Sequence, residues 1–156
     1  MKKHTKTLVM ALLLTTCILL TACGVINVSG KTFKFSKVTI DWGLAEDENK
    51  QELFEEYQVK NESELLNVLK TKDNRNSRFT TFGTDKKYVT KNTSNEILDS
   101  GYYKQDETII TLSETEEGLN DEGAYTLQAN DKGYIVTIKI NDEYKIFAKY
   151  QYVEQD

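Results

Sequence analysis

The chain contains no proline, one histidine, two cysteines and one tryptophan in 156 residues. Without proline, and with only eight glycines, collagen-like and proline-rich low-complexity classes are excluded. No glycine-rich phosphate loop is present, which removes the usual nucleotide-binding signatures. What is there points to a packed body. A hydrophobic share of 38% with 10% aromatics, including nine tyrosines, exceeds what disordered segments carry and favours β structure. The length suits one domain with a real core, not two.

The first 22 residues read as a leader rather than as part of the fold. Lys2, Lys3 and Lys6 make a basic start, and residues 8–20 are apolar except for Thr15 and Thr16. An ordinary membrane-spanning helix needs about 20 apolar residues, so this run is too short for one. The stretch Leu20-Thr21-Ala22-Cys23 resembles the lipobox of bacterial lipoproteins. That resemblance implies cleavage before Cys23 and acylation of its thiol with diacylglycerol. The expected site is the extracytoplasmic face of a cell membrane, and residues 23–30 would form the lipid-anchored tether. One acyl chain holds a protein marginally and two hold it stably, at about 0.8 kcal/mol per buried CH₂. Abundant asparagine, lysine and isoleucine with no proline suit a low-GC Gram-positive bacterium. In a Gram-negative cell, Gly24 after the cysteine would resemble an outer-membrane sorting signal.

Loss of the leader removes most chemistry. Cys17 and the single histidine, His4, leave with it, and Cys23 is spent on lipid. No Ser-His or Cys-His pair and no histidine-ligated zinc site can then be built, which weighs against an enzyme, and no cofactor or metal is expected. Subtracting three leader lysines leaves 17 basic against 25 acidic residues, a net charge of −8. So acidic a body does not seek nucleic acid or anionic lipid.

In the remaining chain, TFKFSKVTIDW (residues 32–42) alternates with a one-residue slip near Ser36-Lys37, which predicts a bulge. Residues 46–70 are helical in period. Leu53, Phe54 and Tyr57 share one face, as do Leu65, Leu66 and Leu69, and Asn61 with Glu64 resembles a capping box. Beyond residue 77 come short alternating runs at 78–82, 86–91, 101–104, 108–113, 124–129, 134–140 and 144–153, separated by Gly-, Asn- and Asp-rich turns. With 32–42 the count is eight, enough for a sheet to close on itself with side chains filling it. FTTFGTDKKYVTK, GYYKQDETIITL and YTLQANDKGYIVTIKINDEYKIFAKYQYV resemble the C-terminal meander of bacterial lipocalin-like lipoproteins. The Gly-x-Trp of true lipocalins is missing, since Gly30-Lys31-Thr32 has no tryptophan. The expectation is a mainly β fold: an eight-stranded antiparallel up-and-down, lipocalin-like barrel over 31–156, with a helical insertion after the first strand. The helices should pack near the closing seam or across its end, where Ile135, Phe147 and Val153 form an apolar outer patch.

Several residues are candidates for a site. Tyr125, Leu127, Ala129, Tyr134, Val136, Ile138, Ile140, Tyr144, Ile146, Ala148 and Tyr150 would line the interior, either around a small apolar ligand or as plain core. Packing is favoured, because such short strands leave little cavity. The loop ETEEGLNDE (114–122) lacks the regular spacing of a calcium loop and reads as solvated. Adjacent carboxylates such as Asp106-Glu107 cannot face each other across a cleft as glycosidase chemistry requires. Residues 70–91 carry a net charge of +5 and residues 92–131 a net of −9. Such a dipole suits docking to a charged envelope protein, or serves solubility alone. Two function classes follow: a tethered binding module for an envelope protein or a small apolar molecule, or an enzyme working with carboxylates and tyrosines.

Overall fold

A computed structural model describes residues 24–155, so the leader and Cys23 lie outside the described residues. Eight strands follow in chain order: β1 (Lys31–Asp41), β2 (Phe79–Phe82), β3 (Lys87–Lys91), β4 (Ile97–Asp106), β5 (Ile109–Ser113), β6 (Tyr125–Ala129), β7 (Gly133–Asn141) and β8 (Ile146–Glu154). Each pairs antiparallel with the next, and β8 returns to pair with β1, so the sheet is a closed up-and-down barrel. Between β1 and β2 lie helices α1 (Asp47–Glu56) and α2 (Glu62–Thr71), then a 3₁₀ segment at Lys72–Ser77. This is the lipocalin-like barrel with a helical insertion after its first strand.

The bulge sits where the alternation slips. The β1–β8 register shifts between Phe35 and Lys37, which leaves Ser36 as the extra residue. Phe35 then lies opposite Tyr152, Val38 opposite Tyr150 and Ile40 opposite Ala148, and all face inward. A second shift, between Lys139 and Asn141 of β7, has no counterpart in the apolar pattern. Nor does the N-terminal half of β4 (residues 97–100), whose side chains are all exposed and so carry no alternating signal.

One end of the barrel is closed by its own N-terminal segment. Val28 is fully buried, and Gln105 clamps the segment by accepting from the Val28 N–H at 3.0 Å and donating to the Ile26 carbonyl at 2.8 Å. Ile26 also donates to the Asn130 carbonyl at 2.9 Å. The stretch expected as a tether is therefore docked from Ile26 onward.

The helical insertion crosses the opposite end. Gly43, with φ +54°, makes the turn out of β1, because a Cβ there would collide with the carbonyls of Tyr144 and Lys145. Asn61 accepts from the Glu64 N–H at 3.0 Å, and Glu64 reaches back to the Lys60 N–H at 2.9 Å, so the cap holds the joint between the helices. Leu53, Phe54, Leu65 and Leu69 are buried in the same cluster as the barrel core. Trp42 meets Phe54 edge-on at 5.9 Å, and the Tyr150 hydroxyl donates to the Leu69 carbonyl at 3.2 Å. Tyr57 and Leu66 are only half-buried, and Ile135, Phe147 and Val153 stay outside the core cluster. The insertion thus covers the barrel's end rather than that outer patch.

This ranking of the helix contacts is testable by urea unfolding. Leu69→Ala should cost about 2–5 kcal/mol, the range for a filled core site. Leu66→Ala, on the half-exposed side of the same helix, should cost distinctly less. Equal losses would mean that α2 does not seat on Leu69.

Candidate ligand-binding mouth of the barrel

Large aromatics fill the middle of the barrel. Phe82 packs edge-on against Phe33 at 5.8 Å, Tyr103 at 4.9 Å and Tyr134 at 5.7 Å, and Tyr134 stacks on Tyr152 at 5.0 Å. Edge-on and offset contacts of this kind are the preferred geometry for such rings. Gly101 is required beside this layer, since a Cβ there would collide with the Ser113 carbonyl and press the Tyr88 ring at 3.1 Å.

The insertion spans the β1, β7 and β8 side of its end and leaves the other side open. There a recess of about 100 Å³ enters the interior. Tyr134, Tyr152, Leu127 and Val136 line it with Leu112, Thr80, Thr90 and Asp99, and Arg75, Arg78 and Tyr125 complete the lining. Drug-sized ligand pockets run to about 300–1,000 Å³, so this space is several-fold smaller. No fatty-acid-sized cargo fits within it.

The charged groups come from a tight turn. Asp73 and Asn74 both adopt left-handed backbone, with φ of 54° and 53°, a conformation that Asp and Asn tolerate better than most residues. The turn brings Arg75 and Arg78 back over the mouth. Arg75 lies on the Tyr150 ring at 5.0 Å and makes a long ion pair with Asp73 at 3.7 Å. Arg78 donates from Nη2 to the Asp73 carbonyl at 2.7 Å, while its buried Nε meets no acceptor. Among the described residues no carboxylate lies within ion-pair distance of Arg78. A buried guanidinium N–H without a partner costs free energy, so it calls for an explanation.

On the facing wall, the Tyr88 hydroxyl donates to Asp99 Oδ2 at 3.0 Å, and the Thr80 and Thr90 hydroxyls share a hydrogen bond at 3.0 Å. Asp99 takes part in no ion pair among the described residues. Burial pushes the Tyr88 phenol well above its ordinary range, and the Asp99 charge adds to the shift. Burial raises Tyr134 and Tyr152 likewise, with Arg75 and Arg78 opposing the rise at Tyr152.

The expected lining residues fall into three groups. Tyr125, Leu127, Tyr134 and Val136 line the recess, Tyr125 being 51% exposed at its rim. Ile146, Ala148 and Tyr150 are buried core, and Ala129 is buried on the inner face of β6. Ile138, Ile140 and Tyr144 are half-buried against the core, the first two beneath the helical end. Tyr144 belongs to the β7–β8 turn rather than to β8, because the left-handed Lys145 (φ 54°) interrupts the alternation. Sequence reasoning missed Arg75, Arg78, Thr80, Thr90 and Asp99. A usable signal existed: the chain's only two arginines sit three residues apart, directly before β2.

Elsewhere the features are less convergent. A groove of about 720 Å³ between β1 and α2 is larger, but Glu64 in it is already engaged in the helix cap. In the acidic loop, Gly118 donates to Thr115, and Asn120 accepts from Lys104. Among the described residues no three metal-ligating side chains come together.

The fold and mouth together define a closed, mostly filled barrel with one small polar opening. No family model, curated protein or solved structure matches the chain.

The raised phenols set an alkaline limit on stability. A tyrosine whose folded pKa lies above its unfolded value near 10 stabilises fully below about pH 10, and that contribution falls as pH rises further. Each such phenol steepens the loss by up to about 1.4 kcal/mol per pH unit. Tyr88, Tyr134, Tyr150 and Tyr152 should therefore form phenolate only as the barrel unfolds, seen as a late cooperative step in an absorbance titration. Smooth titration of all nine tyrosines near pH 10, with the fold intact, would contradict this burial.

Proposed function

We propose that this protein is a lipid-anchored, non-catalytic binding module on the extracytoplasmic face of a bacterial membrane, with its ligand taken at the half-open end of the barrel. The polar recess beneath the unpaired Arg78 carries the reading. Its small volume and charged wall favour a compact polar ligand over apolar cargo held in the interior. The recess holds no thiol, imidazole or serine, and its one lining carboxylate, Asp99, already accepts from Tyr88, which weighs toward binding rather than catalysis.

The leader and the LTAC motif support the anchor. The docked N-terminal segment then gives it an orientation. Ile26 is held at the plugged end, so only Gly24 and Val25 separate a lipidated Cys23 from the barrel. Three extended residue spacings reach at most about 10–11 Å. The plugged end would face the bilayer and the mouth would face the envelope space.

Fractionation of cells expressing Cys23→Ser tests the anchor. The variant should persist as uncleaved precursor or appear in the medium, while the wild type stays with the membrane at the processed mass. A Cys23→Ser protein that fractionates with membranes at the normal mature mass would overturn the assignment.

A further inference from the structure

Resting on the binding-module reading, we infer that the mouth recess takes a compact zwitterion of α-amino-acid size, its carboxylate on Arg78 and its ammonium toward Asp99. Three observations converge. Arg78 has a buried Nε without acceptor and no carboxylate partner, and a guanidinium fork matches a carboxylate in shape and charge. Asp99 lines the same recess and keeps Oδ1 outside the hydrogen bond that Tyr88 makes to Oδ2. A recess of about 100 Å³ suits a molecule with a handful of non-hydrogen atoms, and the open rim lets a longer side chain project outward.

Charge balance selects the zwitterion over a plain anion. Arg75 and Arg78 carry two positive charges at the mouth, and Asp73, beside Arg75, and Asp99 carry two negative ones. Glu114 also acts there, since its charge adds to the rise in the Tyr88 phenol. An added monoanion would gain at Arg78 and lose against Asp99 and Glu114. A molecule with both signs gains on both walls. The two sites differ in strength: Arg78 is partly buried and its charge-assisted bond dominates, whereas Asp99 is exposed and screened.

The full-length protein in detergent micelles provides a direct readout. With only two arginines in the chain, the arginine Nε–H region of a nitrogen–proton correlation spectrum holds two signals, and Arg78→Lys assigns them by deletion. Alanine should shift the Arg78 signal saturably, and acetate should do so with roughly two- to fivefold weaker affinity, the effect of an exposed ion pair. Asp99→Asn should bring alanine down to the acetate level while leaving acetate no weaker. Arg78→Lys should weaken alanine about tenfold or more, read from the Thr80 and Tyr134 backbone signals. The inference is overturned if the Arg78 signal ignores both compounds, if phosphate or chloride at equal ionic strength moves it as much, or if acetate binds tighter than alanine. These spectra do not depend on the anchor. Failure of the anchor would show only in the Cys23→Ser fractionation, and silent spectra would remove this ligand without touching that result.

Discussion

Closure of β1 onto β8 is the constraint from which the rest follows. The first four residues of β1 pair with β2, and its length from Phe33 onward pairs with β8. Two ion pairs flank that seam, Lys31–Glu154 at 2.8 Å and Lys149–Asp41 at 2.6 Å. All four side chains are a third or more exposed, so solvent screens both pairs and they contribute little. Burial of Phe33, Tyr150 and Tyr152 along the same seam outweighs them, at about 1.5–3 kcal/mol for each fully buried large side chain. The bulge at Ser36 lets one strand serve both neighbours and keeps its apolar residues facing inward.

From that closure comes a molecule with unlike ends. The N-terminal segment seals one end through Val28 and the Gln105 clamp, so its backbone polar groups are satisfied by the barrel itself. The helical insertion, leaving at Gly43 and returning through the turn at Asp73 and Asn74, reaches only part of the other end. Where it reaches, the interior is apolar to the rim: Trp42, Ile138 and Tyr150 lie under Phe54 and Leu69. Where it stops, the wall turns polar, with Thr80, Thr90, Asp99 and the two arginines. Uncovered interior meets water, so polar side chains there cost little and can hold a ligand.

The parts of this fold that bury one face were legible in the sequence. Alternation fixed the positions of most strands to within a residue or two, and the slip at Ser36-Lys37 located the bulge. The three-residue spacing of Asn61 and Glu64 located the cap. What failed to show had no apolar pattern. Residues 97–100 of β4 are exposed, so nothing in their order marks a strand, and Asp99 stayed hidden with them. Arg75 and Arg78 looked like members of a basic run, because only the left-handed turn at Asp73-Asn74 aims them at the barrel. The docking of Val28 was equally silent: Val25, Ile26 and Val28 fall in too short a stretch to show a period, and the partner Gln105 lies 77 residues from Val28. The candidate lining residues were found as an inner face, but half of an inner face is core, and only the placement of the helices decides which half.

Amide hydrogen exchange across the seam tests the central claim most directly. Between Lys37 and Asp41, β1 has β8 as its paired strand, since β2 has already left it. If the barrel is closed, the amides of this stretch that point at β8 should be protected as strongly as those joining β7 to β8. Exchange there at the rate of a fraying edge, with β7–β8 still protected, would mean an open sheet without a mouth.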